Sequence, residues 1–152
     1  MAKARDPRID DYGAVLEAMR HLEKELDRSL RGQVDLGFVW FEALLRIERA
    51  GGALTMGTLA EQTLLSSGGV TRLVDRLAEN GYAERRSCEE DRRVQYVAIT
   101  DAGREALDRA LAVHVEDLQR LFFDHLEAEE RRTVVEAMSR VRGAGAPVCG
   151  EG

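Results

Sequence analysis

The stretch that most constrains this 152-residue chain is residues 53–100, where two helical and two strand-like patterns follow one another with almost no linker. Thr55 stands where it can cap a short helix carrying Leu59, Ala60 and Leu64. The run Ser66-Ser67-Gly68-Gly69 interrupts that pattern. Val70, Leu73, Val74 and Leu77 then resume it at three- and four-residue steps, the spacing of one helix face. Asn80-Gly81 ends this second helix, since both residue types accept the left-handed backbone that closes helices. Tyr82–Arg86 and the β-branched and aromatic segment 94–99 read as two strands, joined by the polar run Ser87–Arg93. The expected unit is helix, tight turn, helix, then a β-ribbon with a charged tip.

The flanks are helical. Ile9, Tyr12, Val15, Leu16, Met19, Leu22, Leu26 and Leu30 recur at helical spacing, with Gly32 as the expected end. A second stretch with Leu36, Val39, Trp40, Leu44 and Ile47 closes at Gly51-Gly52. After the ribbon, Thr100-Asp101 is the expected cap of a long helix through Ala106, Leu107, Ala110, Leu111, Leu118, Leu121 and Phe122. Leu126, Val134, Val135, Met138 and Val141 mark a last helix, and residues 143–152 read as a frayed tail. The fold class is therefore mainly α with a small β-wing. Residues 53–100 form the winged helix-turn-helix, residues 9–52 and 101–142 the helical support, and the whole chain is read as one domain.

A net charge of −6 argues against a nucleic-acid partner until it is divided along the chain. The excess acid lies in the last third. Residues 53–100 hold no lysine, and their six arginines fall in pairs: Arg72/Arg76, Arg85/Arg86 and Arg92/Arg93. Arginine forks match phosphate and guanine. A helix enters the major groove and reads bases mainly from its first turns, which must then be small or polar outside and apolar inside. Ser66, Ser67, Gly68 and Gly69 suit phosphate at a helix start. Thr71 and Arg72 lie off the apolar face and can reach base edges, and Arg76 is one turn further on. At the ribbon tip, Arg92 or Arg93 can point at DNA, with Asp91 bracing the guanidinium. Taken singly, an arginine pair is a solvated surface and a Ser/Gly run is a turn. Their order, with arginines at both places where such a module meets DNA, points to double-stranded DNA.

At these residues the chain strongly resembles the multiple antibiotic resistance regulator (MarR) family. The likeness runs through Leu54-Thr55, Leu59-Ala60-Glu61, the segment 70–77, the segment 80–86, Asp91-Arg92-Arg93 and the segment 99–103. The spacing from Asp91 through Arg93 to Ile99-Thr100 is similar to the family's wing signature. The resemblance implies a cytoplasmic homodimer whose first and last helices interleave, reading a pseudo-palindromic operator. It implies that Ser67, Gly69, Thr71, Arg72 and Arg76 lie on the recognition helix, and that Arg93, braced by Asp91, enters the minor groove. It also implies a repressor released by a small molecule or an oxidant. Met56-Gly57 departs from the family pattern, which predicts a looser start to the first module helix. Without DNA contact, the same fold would serve as a protein-interaction module, and the acidic last third suits that alternative.

Other chemistry is sparse. Cys88 near the tip is a candidate redox thiol, opposed by Glu89 and Glu90, and Cys149 lies in the tail. His21 and Trp40 are candidates for an effector cleft, with core packing as the alternative. His114 and His125 are eleven residues apart, ~16 Å if they share one helix, too far to share a metal. Glu129-Glu130 comes with no nucleophile or phosphate loop, and no G-x-S-x-G, Walker or H-E-x-x-H motif occurs. No enzyme activity, metal or cofactor is expected. No apolar run approaches the ~20 residues of a membrane span.

Overall fold

The computed structural model describes residues 6–63, 65–87 and 93–144. Its contacts group into two compact units, Met1–Val115 and Glu116–Gly152.

The first unit opens with helix α1, Pro7–Val34, started by Asp6, whose side chain accepts from the Arg8 N–H. Gly32 does not end it. The helix runs on to Val34 and closes at Asp35, which adopts the left-handed conformation (φ 54°) and lets the next residue, Leu36, donate its N–H to the Leu30 carbonyl at 3.5 Å. The physical reason is the pair of buried leucines, Leu30 and Leu36, on either side of the turn. Anchoring both in the core places the reversal at 35, and Asp tolerates the left-handed region better than most residues. Helix α2, Phe38–Arg49, then buries Phe41, Ala43, Leu44 and Ile47.

The corner between the two helices is held by one carboxylate. Asp27 accepts from the Phe38 N–H at 2.8 Å and from Arg31 Nε at 2.7 Å. Burial pushes this carboxyl up, but the hydrogen bonds from Arg31 and Phe38, with the Arg31 charge, outweigh burial and hold it below its ordinary value.

Gly51 and Gly52, both at positive φ, turn the chain into β1, Ala53–Thr55. This strand was not expected from the sequence. The ribbon is a three-stranded antiparallel sheet in the order β1-β3-β2, with β2 at Ala83–Ser87 and β3 at Gln95–Ile99. Ala53 faces Ala98 on one side of β3, and Glu84 faces the same Ala98 on the other. Helix α3, Met56–Thr63, follows directly. Its start is capped in spite of Met56-Gly57, because Thr55 Oγ1 accepts from the Thr58 N–H at 3.1 Å.

Helix α4, Ser67–Glu79, buries Val70, Leu73, Val74 and Leu77. These join Leu30, Phe41, Leu44, Leu59 and Val97 in a single apolar core. Gly81 takes φ 75° beyond the Asn80 cap, and the Tyr82 N–H bonds back to the Leu77 carbonyl.

Helix α5, Asp101–Leu121, grows from the end of β3. Thr100 caps it through Oγ1, which accepts from the Gly103 N–H at 3.0 Å. The same hydroxyl donates to the Gly81 carbonyl at 2.5 Å, and the Thr100 N–H donates to the Tyr82 carbonyl at 3.1 Å. Gly103 completes this junction. A Cβ there would lie 2.0 Å from the Tyr82 carbonyl oxygen and 2.8 Å from Ile99 Cγ1.

The second unit holds the end of α5, a 3₁₀ turn Phe123–His125 and helix α6, Ala128–Ala144. His114 lies on α5 and His125 in the 3₁₀ turn, so the two do not share one helix and the ~16 Å helical spacing does not apply to them. Phe122 and Phe123 stack edge to face, and Arg131 lies over the Phe123 ring. Glu130 caps α6 by accepting from the Glu127 N–H at 2.9 Å.

Gly103→Ala is expected to destabilise the protein by about 3 kcal/mol, the upper end of overpacking costs, because the atom struck is backbone. Gly32→Ala, at a helical glycine with open space around it, is expected to stabilise by about 0.4–1 kcal/mol. Urea unfolding followed by circular dichroism checks both.

Candidate nucleic-acid interface

Helix α4 divides its residues cleanly. The buried face of Val70, Leu73, Val74 and Leu77 leaves Ser67, Gly68, Thr71, Arg72, Asp75 and Arg76 exposed on the other side. The Ser/Gly run is therefore the cap and first turn of the helix itself, with Ser67 as the first helical residue. Ser66 is the N-cap, its Oγ accepting from the Gly69 N–H at 3.1 Å. Thr71 Oγ1 donates to the Ser67 carbonyl at 3.0 Å, so its hydroxyl proton is committed to the helix backbone. Gly68 has nothing within 4 Å of where a Cβ would stand, whereas one at Gly69 would meet Ser66 Oγ at 3.3 Å. Packing accounts for a small residue at 69 and not at 68.

The arginine pairs do not behave alike. Arg72 and Arg76 are exposed, and among the described residues neither forms an ion pair. Arg85 and Arg86 point to opposite sides of β2, as strand neighbours must. Arg85 shares the face of the buried Ala83 and reaches α4, where Nη2 donates to Asp75 Oδ1 at 2.6 Å and to the Thr71 carbonyl at 3.3 Å. Arg86 turns the other way and pairs with Glu84, with Nε to Oε1 at 2.7 Å. The sequence reading named Arg85 only as half of a pair. Alternation from Ala83 was the signal that could have turned it toward α4.

Arg93 stands exposed two residues before β3. Asp91, Arg92 and Cys88 lie outside the described residues, and so does the expected brace of Arg93 by Asp91. Cys149 is likewise outside them.

Two hollows accompany the first unit. One, of about 400 Å³, lies on the Glu84/Arg86 side of the sheet against Gly52, Ala53 and Arg104. Its cations are occupied, Arg86 by Glu84 and Arg104 by Glu48 at 3.0 Å and Asp101 at 3.2 Å. The other, of about 360 Å³, is bounded among others by Arg20, Glu23, Lys24, Asp27, Arg31 and Phe38. His21 and Trp40 line neither. His21 is exposed on α1, and Trp40 packs edge-on against Tyr82 with ring centroids 6.4 Å apart. Among the described residues no group of three or more His, Cys, Asp or Glu side chains could hold a metal ion. No helix of the described residues is long and apolar enough to cross a membrane.

Residues 34–94 match the model of the MarR family. An uncharacterised HTH-type transcriptional regulator of Bacillus cereus is 32% identical over 117 residues, 77% of each chain. The chain belongs to the MarR family. YkoM, an HTH-type transcriptional regulator of Bacillus subtilis, is 30% identical over 110 residues, 72% of this chain and 71% of its own. Among solved structures, the MarR-family regulator Sco3205 of Streptomyces coelicolor, crystallised in complex with DNA, superposes with a TM-score of 0.83. It is 29% identical, and the match covers 90% of both chains. AbsC, from the same organism, shares the fold at a TM-score of 0.83 and 24% identity, over 91% of this chain and 94% of its own. As a MarR-family member, the chain is a DNA-binding transcription regulator in the sense common to that family. Its α4 is the second helix of the helix-turn-helix, and its sheet is the wing.

Because no neighbour limits residue 68, Gly68→Ala is expected to raise the stability of this MarR-family chain by about 0.4–1 kcal/mol through the unfolded state. Thermal melts check it. A stabilised variant that binds DNA less well would show that the missing Cβ serves the partner rather than the fold.

Proposed function

We propose that the protein is a homodimeric repressor that reads a pseudo-palindromic operator with α4 and grips the adjacent groove with its wing. The observation that carries this reading is the state of Arg72 and Arg76: exposed, outside every described ion pair, and mounted on a helix whose opposite face is fully buried. In a chain of net charge −6, two guanidinium groups left uncommitted on a rigid helix are suited to phosphate and base edges. The Ser66 hydroxyl and the amides of Ser67 and Gly68 offer phosphate donors at the helix start, the Gly69 amide being taken by the Ser66 cap, with Thr71 beside them. Arg93 at the wing, with Asp91 and Arg92, is assigned the neighbouring minor groove. Sco3205, the relative crystallised with DNA, supports the assignment at 29% identity.

The dimer reading rests on two exposed stripes. Ile9, Tyr12, Val15 and Met19 are exposed on α1, and Val135, Met138 and Val141 on α6. Stripes of large apolar side chains at helical spacing mark interaction surfaces. A second copy would cover them and would set two reading helices about one helical turn of DNA apart. In this reading residues 1–152 act as one domain, in the cytoplasm where the DNA is.

For release by a small molecule, the hollow beside Arg20 and Lys24 supports the proposal better than His21 and Trp40, which do not border it. Its size falls in the range of ligand sites, and Arg20 and Lys24 beside Phe38 suit a compact phenolic molecule, while Glu23 and Asp27 on the same rim disfavour a strongly anionic one. The rival reading, a winged module that binds only protein, leaves the uncommitted arginines of α4 without a purpose.

The test uses a duplex selected from a random library with the wild-type protein. Affinity should fall about a thousandfold or more between roughly 50 and 200 mM salt. Arg72→Ala should weaken the selected duplex by about ten- to a hundredfold and a random duplex by less than about threefold. Equal losses on both would reduce Arg72 to a phosphate contact, and no salt-dependent binding would leave the protein-interaction reading in place.

A further inference from the structure

Helix α4 carries a carboxylate in the middle of its exposed face. Asp75 lies three residues after Arg72 and one before Arg76. Opposite charges three residues apart on a helix are neighbours and pair readily. An uncommitted Asp75 would therefore take Arg72 as its partner and would hold a negative charge toward any phosphate brought to the helix. Neither occurs. Arg85 crosses from β2 and donates to Asp75 Oδ1 at 2.6 Å, while the same nitrogen donates to the Thr71 carbonyl at 3.3 Å. Arg72 is left outside every described ion pair.

We propose that Arg85 is a positioning residue for DNA reading: it occupies Asp75, and by doing so keeps Arg72 uncommitted and cancels the one carboxylate between the two reading arginines. The inference rests on the DNA-binding reading above and deepens it. The opposite arrangement would have Asp75 hold Arg85 ready for a phosphate. The geometry favours the first. Arg85 is the less exposed of the two side chains (35% against 50%), and its Nη2 is already directed inward at two acceptors on α4. An arginine offered to DNA would present its fork outward. Strand alternation explains how the residue gets there, because Arg85 shares the inward face of Ala83 while Glu84 and Arg86 face away.

Arg85→Gln, Asp75→Asn and the double variant, measured on the selected duplex and on a random one, separate the two arrangements. If Arg85 serves Arg72, Arg85→Gln loses about tenfold on the selected duplex and little on the random one, the signature of a withdrawn base contact. Asp75→Asn then binds at least as well as wild type, and the double variant returns to within about threefold of it, a coupling that a cycle of variants isolates. Asp75→Asn weakening binding as much as Arg85→Gln, or a double variant no better than Arg85→Gln, would overturn the proposal. If Arg85→Gln does not fold by circular dichroism, Asp75→Asn at its half-exposed site still decides: retained affinity supports the proposal and lost affinity ends it. Wild-type protein that selects no duplex would instead remove the DNA reading on which the proposal stands.

Discussion

The contact between Gly103 and the Tyr82 carbonyl governs how the module is assembled. Two stretches of the chain meet there and join three elements: the end of α4 at Gly81-Tyr82, the end of β3 at Ile99-Thr100, and the first turn of α5 that follows β3 directly. Thr100 serves all three, giving its N–H to Tyr82, its hydroxyl proton to Gly81 and its lone pair to the Gly103 N–H. Such close backbone approach is open only to a residue without Cβ. It fixes where the sheet stands against α4, and through Val97 and Ile99 it closes the apolar core over Val74 and Leu77. Helix α4 is thus tied at its far end to the start of α5, while its first turn is capped by Ser66 and exposed.

Electrostatics on this scaffold works by sorting rather than by bulk charge. Residues 53–100 carry seven carboxylates against six arginines, yet the arginines of α4 and β2 are divided by geometry into two kinds. Arg85 and Arg86 are consumed inside the module, by Asp75 and Glu84. Arg72 and Arg76 are not consumed. A helix that buries one face and spends none of its outward cations keeps a basic strip within an acidic chain, and at short range it is the strip that a polyanion meets.

Much of this was legible from residue spacing alone. The two module helices followed from the period of Leu59, Val70, Leu73, Val74 and Leu77, and the caps Thr55 and Thr100 and the Asn80-Gly81 stop stand where the residue types place them, whereas Ser66, read as part of a turn, is itself a cap. What was missed has physical causes. Strand β1 is three residues long and is paid for by a partner more than forty residues later, so no local pattern announces it. The end of α1 is decided by which leucines the core accepts, and a glycine at 32 in open space cannot compete with that. The partner of Asp75 depends on the crossing of β2 over α4, which is tertiary information. His21 and Trp40 were singled out for their chemistry. Their surroundings, solvent for one and Tyr82 for the other, are set by packing that their neighbours in sequence do not encode.

The central claim is that two copies of α4 lie in successive major grooves with the wings beside them. Hydroxyl-radical footprinting of the wild-type protein on its selected duplex measures that directly. Two symmetric protected patches centred about 10 bp apart, or a multiple of that, each flanked by minor-groove protection, are the expected result. A single patch, or protection without two-fold symmetry, would contradict the account.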